Sequence, residues 1–162
     1  MRYFLILLFF CSSHATAGSD RLTSIGWIEP VRILPEGMEL QAKIDTGADN
    51  SSVGVLEWAS YNNKGEEWIR FKVRDNRGNS KVFERPLERY THIKRKKAKP
   101  LLRPVVNLWL CLGHQKYLTP VNLSDRQAFN YRMLIGRSFL KGRFLVDSGV
   151  SMTQSSDCIT SL

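Results

Sequence analysis

Three stretches of the chain alternate apolar and polar positions with a period of two. Leu40, Ala42 and Ile44 alternate with Gln41, Lys43 and Asp45. Ile69, Phe71 and Val73 alternate with Arg70, Lys72 and Arg74. Val106, Leu108, Leu110 and Leu112 alternate with Asn107, Trp109 and Cys111. Successive side chains of a strand point to opposite faces, so the pattern predicts half-buried strands. Asp75-Asn76-Arg77-Gly78-Asn79 is rich in turn formers and predicts a hairpin tip; Gly113-His114-Gln115 predicts another, before a strand over residues 116–123. Helical periodicity is scarce. Residues 124–131, with Ser124 as N-cap, and residues 137–140 read as short helices or turns. Many short strands joined by turns predict an all-β fold, closed or sandwiched. The polar end, residues 151–162, predicts a frayed tail.

The start of the chain has a different pattern. Residues 3–10 form an apolar run behind Arg2, followed by Ser12, Ser13 and His14 and then Ala15-Thr16-Ala17. A basic start, a short apolar core and an A-x-A ending predict a secretory signal peptide cut after Ala17. The run is too short for a bilayer span, which takes about 20 apolar residues. The expected organisation is a leader over residues 1–17, one domain over 18–150 and a polar tail over 151–162, in the periplasm or secreted. Phe9-Phe10 stand before Cys11 where a lipoprotein signal carries small residues, which disfavours lipidation there. Cys111 and Cys158 remain after cleavage and could pair in an oxidising compartment. Cys111 lies in an apolar strand and Cys158 in the polar tail, and one bridge is no scaffold, so no essential disulfide is expected.

Composition narrows the class. The 162 residues are 43% apolar and 24% charged, which fits one globular domain and excludes wholesale disorder. The formal charge is +9, with 24 Lys and Arg against 15 Asp and Glu. Most of the excess is local: Lys94, Arg95, Lys96, Lys97, Lys99 and Arg103 follow one another without an acid, near Pro100 and Pro104. Such a run is a solvated loop or edge, or it attracts an anionic partner: an acidic peptide or an anionic cell-envelope polymer. Nucleic acid is not expected, because no aromatic residues interleave the run to stack on bases.

The chemistry-bearing segment is Asp45-Thr46-Gly47-Ala48, where an apolar strand runs into a Thr-Gly turn. Two carboxyls held close together cannot both ionise, so they share a proton. One can then activate water as general base while the other donates to a carbonyl oxygen. The triplet alone also suits an ordinary surface turn. Two features argue for more: the strand before it is properly patterned, and Leu134-Ile135-Gly136-Arg137 later supplies an apolar pair, a glycine and a short helix. With these segments the chain resembles retropepsin-like aspartic proteases. The resemblance implies a small closed β-barrel with one or two short helices, Asp45 as the catalytic residue on the Thr46, Gly47 and Ala48 loop, Leu134, Ile135 and Gly136 packed beneath it, and an ion pair of Asp49 with Arg137.

The chain is closer still to a bacterial branch described as ATP-dependent zinc proteases. It is similar in Ile25-Gly26-Trp27-Ile28-Glu29, residues 42–48 with Ser51-Ser52, Arg85-Pro86-Leu87, Ser124-Asp125-Arg126 and residues 133–140. It departs from that branch at Asp49, where the branch carries a basic residue. The branch's description does not fit the residues. There is no Gly-x-x-x-x-Gly-Lys-Ser/Thr phosphate loop and no His-Glu-x-x-His; His92 and His114 stand far apart. No cofactor and no catalytic metal are expected.

Asp147-Ser148-Gly149 is a second Asp-Ser-Gly, but the chain is too short for two lobes and no apolar-apolar-Gly segment follows it. One Asp45 per subunit, brought together in a two-fold homodimer, is the reading. A flap over the site is expected, with Asn76, Arg77 and Gly78 as candidate tip and Trp68 or Phe71 as packing support. Lys43 lies two residues from Asp45, on the same strand face. The sequence therefore predicts an exported aspartic endopeptidase acting on a peptide or isopeptide bond. The resemblance links it to enzymes that ligate amino acids onto peptides, which points to acidic peptides. The rival is a non-catalytic envelope-binding module using the basic run.

Overall fold

The computed structural model describes residues 22–158, apart from 96 and 97 and the side chains of 93–100. Its strands are β1 (Thr23–Gly26), β2 (Ile28–Leu34), β3 (Met38–Ile44), β4 (Ser51–Asn63), β5 (Glu66–Arg74), β6 (Ser80–Arg95), β7 (Ala98–Leu112), β8 (Gln115–Ser124), β9 (Met133–Ile135) and β10 (Phe144–Asp147), with one described helix, α1 (Arg137–Leu140).

The main sheet runs β2-β3-β9-β4-β5-β6-β7-β8 and closes on itself, because β2 also pairs with β7 and β4 with β8. The fold is thus the all-β closed barrel implied by the resemblance. Strands β1 and β10 pair in parallel as a separate two-stranded sheet. The core gathers Val31, Ile33, Leu40, Val53, Phe71, Phe83, Leu108, Val121, Met133 and Phe139. Phe71 stacks on Phe83 within it, and Phe139 stacks on Phe144 and meets Tyr117 edge-on.

The strands with clean alternation are one-sided. β3 is alternately buried and exposed along its whole length. β2 and β4 do not alternate because their surroundings differ. β2 is buried almost throughout, Glu29 and Pro30 included. β4 is buried from Ser51 to Val55, between β8 and β9, then exposed beyond a bulge between Val55 and Glu57. The basic run is not a free loop in its described part. β6 and β7 carry it as paired strands, with Arg95 opposite Ala98 and Arg103 opposite Thr91.

Of the helix and the turn expected at residues 124–131, the structure takes the turn: Asp125 Oδ1 accepts from the Gln127 amide, while Ser124 stays in β8 and caps no helix. Two further expectations need correction. Cys111 and Cys158 are joined by a disulfide. The tail is not frayed over residues 151–158. The Met152 amide donates to the Ile28 carbonyl and the Gly113 amide to the Ser155 carbonyl, 2.7 and 2.8 Å apart. Glu29, fully buried, accepts from the Thr153 and Gln154 amides and the Thr153 hydroxyl as well as the Gly26 amide. A buried carboxylate is tolerated where donors replace its water, and these donors come mostly from the tail. Ser156 donates to Glu39, and this bond, opposed by partial burial and aided by Arg32, holds the Glu39 carboxyl below its usual range. Since the folded-state value is the lowered one, the contact stabilises above the usual carboxylate range and is lost as pH falls through the lowered value.

Replacing Phe139 by Ala removes a ring that α1 buries between Tyr117 and Phe144. The expected loss is about 3–5 kcal/mol of unfolding free energy, read from denaturant midpoints at unchanged slope.

Candidate active site

The loop joining β3 to β4 carries Asp45, and the corner joining β9 to α1 supports it. The Asp45 amide donates to the Ile135 carbonyl at 2.9 Å; the Arg137 and Ser138 amides donate to the Ala48 and Asp49 carbonyls at 2.9 and 3.0 Å. The Gly136 amide donates to Ser51 Oγ at 3.1 Å. A Cβ on Gly136 would stand 2.5 Å from the Asn50 carbonyl carbon, so only glycine lets the two backbones approach. Within the loop, the Gly47 amide donates to Asp45 Oδ1 at 3.0 Å and the Ala48 amide to the Asp45 carbonyl. Arg137 completes the support. Its Nη1 donates to the Thr46 and Gly47 carbonyls, both at 2.9 Å, and its Nη2 to the Asp49 carboxylate.

The loop has two sides. Asp45, half-buried, opens into a groove of about 360 Å³ with Trp27, Lys43, Arg126, Phe129, Asn130, Tyr131 and Leu134. Lys43 and Leu134 are register partners on β3 and β9, and Lys43 follows from the period-two pattern as a neighbour of Asp45. Thr46 and Asp49 face the other way, onto an apolar surface of α1 and β10 with Leu140, Phe144, Leu145 and Val146. Leu145 is 57% exposed there.

The far wall of the groove was not legible. Arg126 lays its guanidinium over the Phe129 ring, 4.5 Å from the centroid, and donates from Nε to the Tyr131 carbonyl. Burial, and then the nearby Arg103 on β7, make its charged form less favourable, while Asp45 opposes them. Tyr131 meets Trp27 edge-on at 6.0 Å, and the Trp27 carbonyl accepts from the Ile44 amide. Residues 125–131 lack apolar periodicity, so only the Ser124-Asp125-Arg126 segment marked them, without a role.

The candidate flap sits elsewhere. Asn76 Oδ1 accepts from the Gln41 amide on β3, and Asn76 and Arg77 line a separate groove with Arg32, Glu39 and Lys81. Gly78 takes the positive φ of +92° that this tip needs. The tip shares no lining residue with Asp45. Phe71 is core rather than flap support. Asp147 repeats the Asp45 turn, accepting from the Gly149 amide at 2.8 Å, but it lies at the end of β10 and outside the groove. Of the basic run, Arg103 is close enough to Arg126 to act on its charge but does not line the groove; Lys96, Lys97 and the side chains of Lys94, Arg95 and Lys99 lie outside the described residues. Among the described residues no cluster of His, Cys, Asp and Glu could hold a metal ion.

The profile of a family described as RimB-like, retropepsin-like aspartic endopeptidase RimB, matches residues 24–157. The chain belongs to this family. The aspartic-protease fold follows from that membership, and the matched residues include the Asp45 loop. Two relatives, from Desulfotalea psychrophila and Parasynechococcus marenigrum, are each named probable alpha-L-glutamate ligase and are 29% identical over 111 residues, 67% of this chain and 24% of theirs. One from Shewanella pealeana, of the same name, is 26% identical over 115 residues, 69% of this chain and 25% of its own. The chain thus spans about a quarter of the length of these relatives. A crystal structure of a Legionella pneumophila protein of unknown function superposes with a TM-score of 0.72 at 28% identity, covering 82% of this chain and 98% of the other.

Because Gly136 leaves no space for a side chain against Asn50, Gly136→Ala is expected to cost about 1–3 kcal/mol as an overpacked contact. Thermal unfolding measures the loss, and hydrogen exchange should localise it to residues 45–50.

Proposed function

We propose that the protein is an exported aspartic endopeptidase active as a homodimer. The observation that carries this reading is a single carboxylate on a rigid turn, open to a groove on one side, with its flanking residues Thr46 and Asp49 beside an unpartnered apolar face on the other. In this reading a second copy covers that face and brings its own Asp45 beside the first. The two carboxyls then share one proton. One takes a proton from water as the water attacks the scissile carbonyl and later passes that proton to the leaving amine; the other donates to the carbonyl oxygen and takes a proton back from that hydroxyl as the intermediate collapses.

The groove suggests the substrate class. Lys43 and Arg126 line it, and the charge of Arg103 acts on Arg126. A desolvated arginine is best compensated by a carboxylate, which it binds through two parallel N–H donors. Acidic peptides, glutamyl ones in particular, are therefore the proposed substrates. The glutamate-ligase names of the relatives agree with this choice.

Two outcomes are expected with purified protein and a glutamate-rich peptide. Asp45→Asn should abolish hydrolysis, and wild-type specific activity should fall on dilution through the dimer dissociation range. Hydrolysis surviving Asp45→Asn sinks the proposal. Arg126→Ala should lower kcat/KM for the acidic peptide about 10- to 100-fold relative to a neutral one, as expected for a lost hydrogen bond to a charged group.

A further inference from the structure

We propose that the Cys111–Cys158 disulfide is a redox latch on the substrate groove, acting through the tail and Trp27. The dependence on groove function rests on the peptidase reading above; the latch itself does not.

The tail runs from the disulfide to the residues behind the groove, alongside the β2–β7 pairing that places Cys111 opposite Arg32. Beyond β10, residues 150–158 lie along β2 and the β7–β8 turn. The Trp27 amide donates to the Val150 carbonyl at 2.9 Å, and the Met152 amide to the Ile28 carbonyl. The approach is close enough that a Cβ on Gly26 would stand 2.5 Å from the Val150 oxygen. Glu29, just past Trp27, takes three of its donors from Thr153 and Gln154, and the Gln154 side chain also donates to the Ser24 carbonyl. Trp27 in turn lines the groove beside Asp45. Its position is therefore set from behind by the tail. The support of the Asp45 loop comes from residues 135–138 and is independent of the tail.

The two sulfurs differ in access. Cys111 is fully buried in β7, whereas Cys158 is half-buried. The Cys158 amide donates to Cys111 Sγ at 3.0 Å, which favours Cys111 as leaving thiolate. A dithiol reductant attacks Cys158 Sγ as thiolate. The protein S–S bond breaks, Cys111 departs and takes a proton, and a mixed disulfide remains on Cys158. The reductant's second thiol then displaces Cys158. Two electrons and two protons pass to the protein, and the reductant leaves as a disulfide. Without the covalent tie, the tail is held by its hydrogen bonds alone, and the ordering entropy the cross-link had removed opposes docking. Glu29 would then keep only the Gly26 amide and lose its three tail donors whenever the tail leaves, and the Trp27 wall would loosen. Trp27 is a positioning residue here, so substrate binding should suffer and the chemical step should not.

Hydrogen exchange on the full chain, oxidised and after dithiothreitol, tests the latch without assuming any activity. Reduction should speed exchange about tenfold or more in peptides covering residues 25–29 and 150–155, as local opening does, while β4, β8 and β9 keep their protection. The double variant Cys111→Ser, Cys158→Ser should match the reduced protein and ignore dithiothreitol. Unchanged exchange at residues 25–29, or loss of protection throughout the barrel, overturns the proposal; the second result makes the bond a general staple. With a glutamate-rich peptide, reduction should raise KM about tenfold or more, the factor by which local opening lowers the fraction of competent groove, and leave kcat nearly unchanged. A fall in kcat with unchanged KM overturns the coupling to the groove. Exchange that responds to reduction in a protein that cleaves nothing leaves the latch standing and refutes the peptidase reading instead.

Discussion

The structure depends on one contact between two backbones: Gly136 against Asn50. No side chain fits there, so the corner between β9 and α1 can lie flat under the loop between β3 and β4. Amide hydrogen bonds from Asp45, Arg137 and Ser138 then pass between the two segments, and the Arg137 guanidinium ties the Thr46 and Gly47 carbonyls to Asp49. The loop is thereby tied by backbone and side-chain hydrogen bonds to a second segment of the chain. In the proposed reading this matters, because a proton shared by two carboxyls needs their oxygens held in place.

The groove adds a second constraint. Asp45 shares the groove with two cationic side chains, Lys43 and Arg126. Lys43 comes from the same strand, and Arg126 comes from a turn folded across the groove. The arginine is held by packing and by one carbonyl, with its ring partner Phe129 mostly exposed, so its guanidinium keeps donors for a ligand.

Much of this was readable in the chain, and the exceptions have physical causes. β3, β5, β7 and β8 were legible because each has one wet face. β2 and β4 were not, because burial on both faces or exposure on both erases the alternation. The Asp45 loop and its Leu134-Ile135-Gly136 shelf were legible through the resemblance to retropepsin-like proteases, and the close approach of Gly136 to Asn50 gives the physical reason for the glycine. The Arg126 wall was not, since a polar turn carries no period. Glu29 was hidden for a different reason: a buried carboxylate looks like a surface residue until its donors, more than 120 residues away, fold onto it. The tail read as frayed on composition, yet its polar residues are there to satisfy that carboxylate. The hairpin at 75–79 was predicted as a turn and is one, but sequence gives no direction, and it folds toward Gln41.

The position of β9 in the sheet has a consequence for how the protein is made. β9 sits between β3 and β4, yet it is contributed by residues 133–135, after β8 has been completed. A polypeptide emerging from the ribosome can pair its hairpins in order, but the gap between β3 and β4 has no occupant until this late piece arrives. The turn spanning that gap is the one bearing Asp45. A nascent chain halted before residue 133 would thus carry its acidic residue without its shelf, so synthesis order alone withholds the finished centre until the barrel is nearly whole.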